Sequence, residues 1–232
     1  MNYPKLFSQK SLLVSLMAAL FAVGLGVLPA QAQPFANVAN IEDNTVSVLD
    51  VAGNTVSPVE SKLTLKFNMQ ACSKPGPVTV ELRSGTSPYD LVESVNGTGG
   101  GNVAAVFSFG KAADGEPYYV VVKSVNSIET WSATKVTFDS TSHAASYDFT
   151  TATSQAYGGN QISSNGIPSI YQGDTNQDGI IDLNDIIAVS NDSSNFATKP
   201  STDFNCDGVT DLTDTLLTYN NSKNFIRVEK PD

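Results

Sequence analysis

From residue 61 onward, apolar and polar side chains alternate with period two in short runs broken by turn residues. Leu63, Leu65, Phe67 and Met69 share one face, as do Val78, Val80 and Leu82 after Pro75-Gly76-Pro77. Val103, Ala105, Phe107 and Phe109 follow a glycine-rich turn, and Val136 with Phe138 and Tyr147 with Phe149 give two further pairs. Tyr118 to Lys123 is instead a continuous β-branched and aromatic run. Such short alternating runs at this spacing predict a small antiparallel β-sandwich over 61–150. The segment 33–60 is polar and mixed, with short β-like pieces such as Thr45 to Leu49. Residues 151–172 have the Gly, Ser, Asn and Gln content of a connector, able either to swing or to pack through Tyr157, Ile170 and Tyr171. Helical spacing emerges only in the last sixty residues. There Leu183, Ile186, Ile187 and Ser190 fall on one stripe, and Leu212, Leu216 and Tyr219 on a matching one.

Ahead of all this, Lys5 and Lys10 precede an apolar run from Ser11 to Leu28 that ends in Ala30-Gln31-Ala32. A charged start, an apolar middle and a small-residue exit describe a secretory signal peptide over 1–32, with cleavage expected after Ala32; the rival reading is a membrane anchor, since the run is about long enough to span, but the small-residue exit favours removal. The expected localisation is secreted, extracellular or cell-surface, without membrane insertion after cleavage.

The two helical stripes each follow a ladder of side-chain oxygens. Residues 174–185 and 203–214 both read D-x-N-x-D-G-x-x-D-x-x-D, and across 174–196 and 203–225 eleven of 23 aligned positions are identical. That is an internal duplication. Hard oxygen ligands at alternating positions, glycine at position 6 and a carboxylate at position 12 are the pattern of a calcium loop. In the first loop Asp174, Asn176 and Asp178 would offer side-chain oxygens, Ile180 its backbone carbonyl, Asp182 a direct or water-mediated contact, and Asp185 the closing carboxylate. The second loop repeats these roles with Asp203, Asn205, Asp207, Val209, Asp211 and Asp214. The sequence therefore predicts two Ca2+ ions; Mg2+ is a poorer fit because it demands tight octahedral geometry.

A duplicated calcium loop followed by a single helix, with Asp at position 12, resembles the type I dockerin repeat. That resemblance implies a module over 173–232 that docks onto a cohesin-like partner, often in assemblies for polysaccharide degradation. Each repeat departs from the family pattern in two places: loop positions 10 and 11 are Leu183-Asn184 and Leu212-Thr213, and Ala188-Val189 and Leu217-Thr218 stand where a Lys or Arg pair is usual. Upstream, Val80-Glu81-Leu82-Arg83, Ser87-Pro88-Tyr89, Tyr118 to Lys123 and Asn126 to Trp131 resemble a β-sandwich module of secreted bacterial proteins related to transthyretin-like and carboxypeptidase-regulatory-like folds. This second resemblance spans roughly 61–175 and brings no catalytic motif.

Charge and rare residues narrow the function further. The chain carries 13 bases against 23 acids. Loss of the leader lysines leaves 11 bases and a net charge of −12, with 11 acids and 4 bases in 171–232. Such a surface argues against nucleic-acid partners and against adhesion to anionic lipid. Cys72 and Cys206 are the only cysteines; in an exported chain they can bridge, tying the calcium segment to the sandwich, or remain separate thiols. His143, the only histidine, sits in a Ser/Thr-rich turn, and no Ser–His or Cys–His pair with an orienting acid forms around it. Glu81, Glu93, Asp114 and Glu129 are scattered acids rather than a glycosidase pair. Trp131 beside Glu129 offers a possible sugar platform, or else simply covers the sandwich. The sequence thus expects a non-catalytic, secreted calcium-binding protein for docking or packing in an extracellular assembly. The alternatives are a cohesin-binding dockerin subunit and a small carbohydrate-binding module.

Overall fold

The structure, a computed structural model, describes residues 59–232 together with the strands at 36–40 and 45–49. The expected signal peptide lies outside the described residues. Strands β1 (Ala36–Asn40) and β2 (Thr45–Leu49) pair antiparallel, Ala36 opposite Leu49, within a unit of their own, Met1–Val56. The second unit, Ser57–Asp232, carries everything that follows. Among the described residues no helix is long and apolar enough to cross a membrane.

The second unit is mainly β. One sheet has the order β10–β3–β6, with β3 Ser61–Lys66, β6 Ala104–Phe109 and β10 Ala144–Asp148. The other runs β5–β4–β7–β8, formed by β4 Gly76–Ser84, β5 Leu91–Gly99, β7 Pro117–Lys123 and β8 Thr130–Trp131; β9 Val136–Thr137 also pairs with β7. The alternating faces meet between the sheets, where Leu63, Leu65, Phe67, Phe109, Val80, Leu82, Val120 and Val122 are wholly enclosed. Burial of each such side chain contributes about 1.5–3 kcal/mol. Two expectations need correction. The sandwich is not purely antiparallel, because β10 lies parallel to β3, with Ala144 opposite Lys62; the long excursion between them permits the crossover a parallel pair needs. Val103 points outward, 57% exposed, because it ends the turn before β6 rather than starting the strand.

The continuous run in β7 is explained by cover on both faces. Tyr118, Val120 and Val122 point into the sandwich, while Tyr119 and Val121 pack with Trp131 under Tyr89, Tyr157 and Val228 on the other side. A central strand buried twice reads as unbroken apolar sequence.

The connector packs. After two short helical turns and the hairpin of β11 (Ile162–Ser164) and β12 (Ile167–Ser169), Ile170 is fully buried beside Met69. Its backbone bonds residues 68 and 70 on one side, while the next residues bond 126–128 on the other: Tyr171 O accepts from Ile128 N (3.0 Å) and Gly173 N donates to Asn126 O (2.8 Å). Residues 170–173 thus form an extra extended rung, which leads into the first loop and α1 (Leu183–Ser194). The second loop leads into α2 (Leu212–Lys223). Ile181 from the first loop, Cys206 from the second and Ile226 and Val228 from the tail all pack on the sandwich core.

Candidate metal centre

Both loops fold on the same internal scheme. In the first, Asn176 Oδ1 accepts from Asp178 N (2.9 Å), Asp178 Oδ1 from Ile180 N (3.0 Å) and Asp174 Oδ2 from Gly179 N (3.2 Å). In the second, Asn205 Oδ1 accepts from Asp207 N, Asp207 Oδ1 from Val209 N and Asp203 Oδ2 from Gly208 N, each at 2.9 Å. Short Asx side chains turning back onto their own backbone are what draw such a loop tight. The glycine at position 6 permits the turn, since Gly179 has φ +89° and Gly208 φ +102°.

Position 12 is the hub of each loop. Asp185 Oδ1 accepts from Thr175 N (2.8 Å) and Thr175 Oγ1 (2.9 Å), and its Oδ2 from Asp182 N (2.9 Å). Asp214 does the same with Phe204 N (2.7 Å) and Asp211 N (2.9 Å). Position 9 caps the helix: Asp182 Oδ1 accepts from Asn184 N and Asp211 Oδ1 from Thr213 N, both at 2.7 Å. Positions 9 and 12 therefore form a reciprocal capping box on each helix. The D-x-x-D spacing already carried that signal, which reading the motif only for ligands overlooks.

The repeats complete one another. Ile181 N, just past position 7 of the first loop, donates to Ile226 O (2.9 Å) behind α2. The equivalent Thr210 N donates to Ala197 O (2.6 Å) behind α1. Position 4 fastens each loop to the sandwich, in left-handed backbone both times (φ 58° at Gln177, 59° at Cys206). Gln177 Nε2 donates to Ser127 O (3.3 Å), whereas Cys206 is bonded covalently to Cys72. The structure thus resolves the two open readings of the cysteines in favour of the bridge.

Electrostatics in these loops are dominated by acidic groups brought close together and partly desolvated. Burial, with repulsion from Asp185 and Asp178, pushes the Asp174 carboxyl up to about 6, although N–H donors resist the rise. Asp214 is also raised, by burial first and with Asp203 contributing. Oδ1 of Asp174 and Oδ1 of Asp203, the position-1 oxygens of both loops, are buried with no hydrogen-bond partner. A buried carboxylate oxygen without a partner is costly, and here the cost recurs at equivalent places in a duplicated loop. Among the described residues no three His, Cys, Asp or Glu side chains form a metal cluster by themselves. The donor set is a mixture of carboxylate, amide and backbone oxygen, which suits a hard ion such as Ca2+.

The helical stripes face away from the core. Leu183, Ile187, Leu212, Leu216 and Tyr219 are 50–66% exposed, and Phe196 and Phe225 more so. The buried sides carry Asp185 and Val189 in α1, and Asp214, Thr218 and Asn221 in α2. Apart from Val189, polar groups with partners have taken the inner face, leaving apolar side chains of both repeats outside.

The other candidates have structural duties. Trp131 is only 4% exposed, lies under the Arg83 guanidinium (5.8 Å) and donates Nε1–H to Glu129 (2.6 Å), so it offers no open face for sugar stacking. Glu81 binds Arg83 and Lys123, and Lys123 also binds Glu129 (2.9 Å). Glu93 accepts from Gly110 N and Lys111 N. His143 is half-buried, with Nδ1 at 2.6 Å from Asp114.

No protein-family profile and no curated protein matches the chain. Among solved structures it is similar to a chain of a type II cohesin–X–dockerin complex from Acetivibrio cellulolyticus. The identity is 22%, over 70% of this chain and 95% of that one, with a TM-score of 0.42; a likeness so distant assigns neither partner nor function.

Proposed function

We propose that this is a secreted, non-catalytic protein that binds two Ca2+ ions through its duplicated C-terminal loops and uses the ordered pair for docking in an extracellular or cell-surface assembly. The observation that carries the reading is the pair of partnerless, buried position-1 oxygens, Asp174 Oδ1 and Asp203 Oδ1. Asp174, Asn176, Asp178, Ile180, Asp182 and Asp185 would hold one ion; Asp203, Asn205, Asp207, Val209, Asp211 and Asp214 the other. Bound calcium supplies divalent charge where desolvated carboxylates repel one another, which couples binding to folding. The chain's own part is orientation: backbone N–H groups fix the position-12 carboxylates, and the capping boxes set each helix at a defined angle to its loop. The Cys72–Cys206 bridge supports export to an oxidising compartment.

The outward apolar stripe favours a protein partner. Leu183 and Leu212 stand at position 10 of each loop and continue into the exposed residues of α1 and α2. Each helix thus exposes apolar side chains, and a cohesin-like module is the partner to test first. Titration calorimetry of the demetallated mature chain should show two ions bound, and Asp174→Ala should leave one. Absence of heat at millimolar Ca2+ refutes the calcium reading. Pull-down with cohesin modules, with and without chelator, tests docking separately, and a null result there leaves the metal sites standing.

A further inference from the structure

The two loops are alike inside but anchored differently. Asp174 of the first is 1% exposed, and that loop is flanked by the rung at 170–173 and by Gln177 on Ser127. Asp203 is only half-buried, and a cavity of about 380 Å3, lined by Met69, Val78, Val125, Pro200, Asp203 and Cys206, separates the second loop from the sandwich. Few ties cross near that gap. Lys74 Nζ donates to Cys206 O (2.8 Å), Asn126 Nδ2 donates to Pro200 O (2.9 Å), and the disulfide is the one covalent link. The bridge enters between the side-chain donors of positions 3 and 5, Asn205 and Asp207.

We propose that the Cys72–Cys206 bridge sets the calcium affinity of the second loop, and that calcium in that loop in turn protects the bridge from reduction. This rests on the calcium reading above. With the bridge intact, position 4 is held in its left-handed conformation, and the flanking donors face the loop interior before an ion arrives. Preorganisation of this kind raises affinity by removing the cost of ordering. When a dithiol such as dithiothreitol donates two electrons and two protons, the bridge becomes two thiols and the reductant closes to its cyclic disulfide. The second loop is then free to move across its cavity. The first loop, held by noncovalent contacts alone, keeps its affinity. Linkage requires the reciprocal effect: whatever factor the bridge contributes to calcium binding, calcium contributes to the bridge.

The test is calorimetry of the full mature chain, demetallated, with CaCl2 as titrant. Oxidised protein is compared with Cys72→Ser/Cys206→Ser, and Asp203→Ala in each background identifies the second loop. The double-serine protein should bind one ion as before and the other roughly tenfold or more weakly, within the range usual for coupled sites. Unchanged affinity at both loops, or equal weakening of both, overturns the coupling and leaves the calcium reading intact. No heat from the oxidised protein overturns that reading, and the coupling with it. Should circular dichroism show the double-serine chain unfolded, the decision passes to the wild-type protein. Its bridge, equilibrated with mixtures of reduced and oxidised dithiothreitol and read by alkylation and mass, should need a roughly tenfold higher ratio of reduced to oxidised reagent for half-reduction in calcium than in EGTA. Equal equilibrium ratios overturn the proposal.

Discussion

Asn221 sits on the buried face of α2, 2% exposed, at the seam where the repeats meet the sandwich. Its Nδ2 donates to Gln70 Oε1 (2.6 Å) and to Gln172 O (2.7 Å), and its Oδ1 accepts from Gln70 Nε2 (3.2 Å). Truncation in Asn221→Ala removes all three bonds and strands their partners. At about 1 kcal/mol net for each neutral bond, the expected loss is about 3 kcal/mol. For a unit of this size each kcal/mol shifts the midpoint by about 2–4 °C, so Tm should fall by roughly 6–12 °C. Asn221→Asp should be worse, because it sets a carboxylate oxygen against Gln70 Oε1 and Gln172 O. The first repeat does carry aspartate at the equivalent place, but there Asp192 faces donors, Lys199 Nζ (2.7 Å) and Thr202 Oγ1 (3.0 Å). The assay is thermal and guanidinium denaturation of oxidised, calcium-saturated protein, with exposed Asn220→Ala as control, expected within about 0.5 kcal/mol of wild type. If Asn221→Ala matches that control, these amides do not hold the repeats to the sandwich and the reasoning fails.

Removing the disulfide in Cys72→Ser/Cys206→Ser frees a span of 134 residues, for which chain entropy gives a loss of about 5 kcal/mol; a drop under about 1 kcal/mol in guanidinium titration contradicts this. Ile170→Ala should cost about 2–5 kcal/mol, as expected of a fully enclosed side chain, whereas a freely swinging connector would show almost none. Burial alone would raise the Glu81 carboxyl, but Lys123 and Arg83 outweigh it and hold it below its ordinary 4.5. Its stabilisation is therefore fully present above pH 4.5 and fades as pH falls through the lower folded value. Glu81→Gln should be destabilised by about 2 kcal/mol at pH 7 and should converge on wild type in acid; a gap that stays constant down to pH 2 contradicts the assignment.

Much of the sandwich was legible in the chain. Leu63, Leu65 and Phe67 reveal their strand because one face is core and the other is wet. The doubly buried β7 shows as an unbroken run. What covers its outer face was not legible, since Trp131, Tyr157 and Val228 arrive from separate parts of the chain. The duplicated ladder announced the loops, yet periodicity could not say which way the helices turn. Hydropathy points Leu183, Ile187, Leu212 and Leu216 inward, but beside Val189 the inner face is built from Asp185, Asp214, Thr218 and Asn221, polar residues with partners that the sequence does not reveal. The same limit applies to Cys72 and Cys206: two cysteines suggest a pair, but only the fold brings their Cα atoms to 5.4 Å.

The crossed bonds between the repeats, Ile181 N to Ile226 O and Thr210 N to Ala197 O, are spaced 29 residues apart at both donor and acceptor. Each half lends its trailing end as the clasp of its sister. Excised by itself, either half would be an unfastened ring, and it could close only by borrowing from a twin molecule.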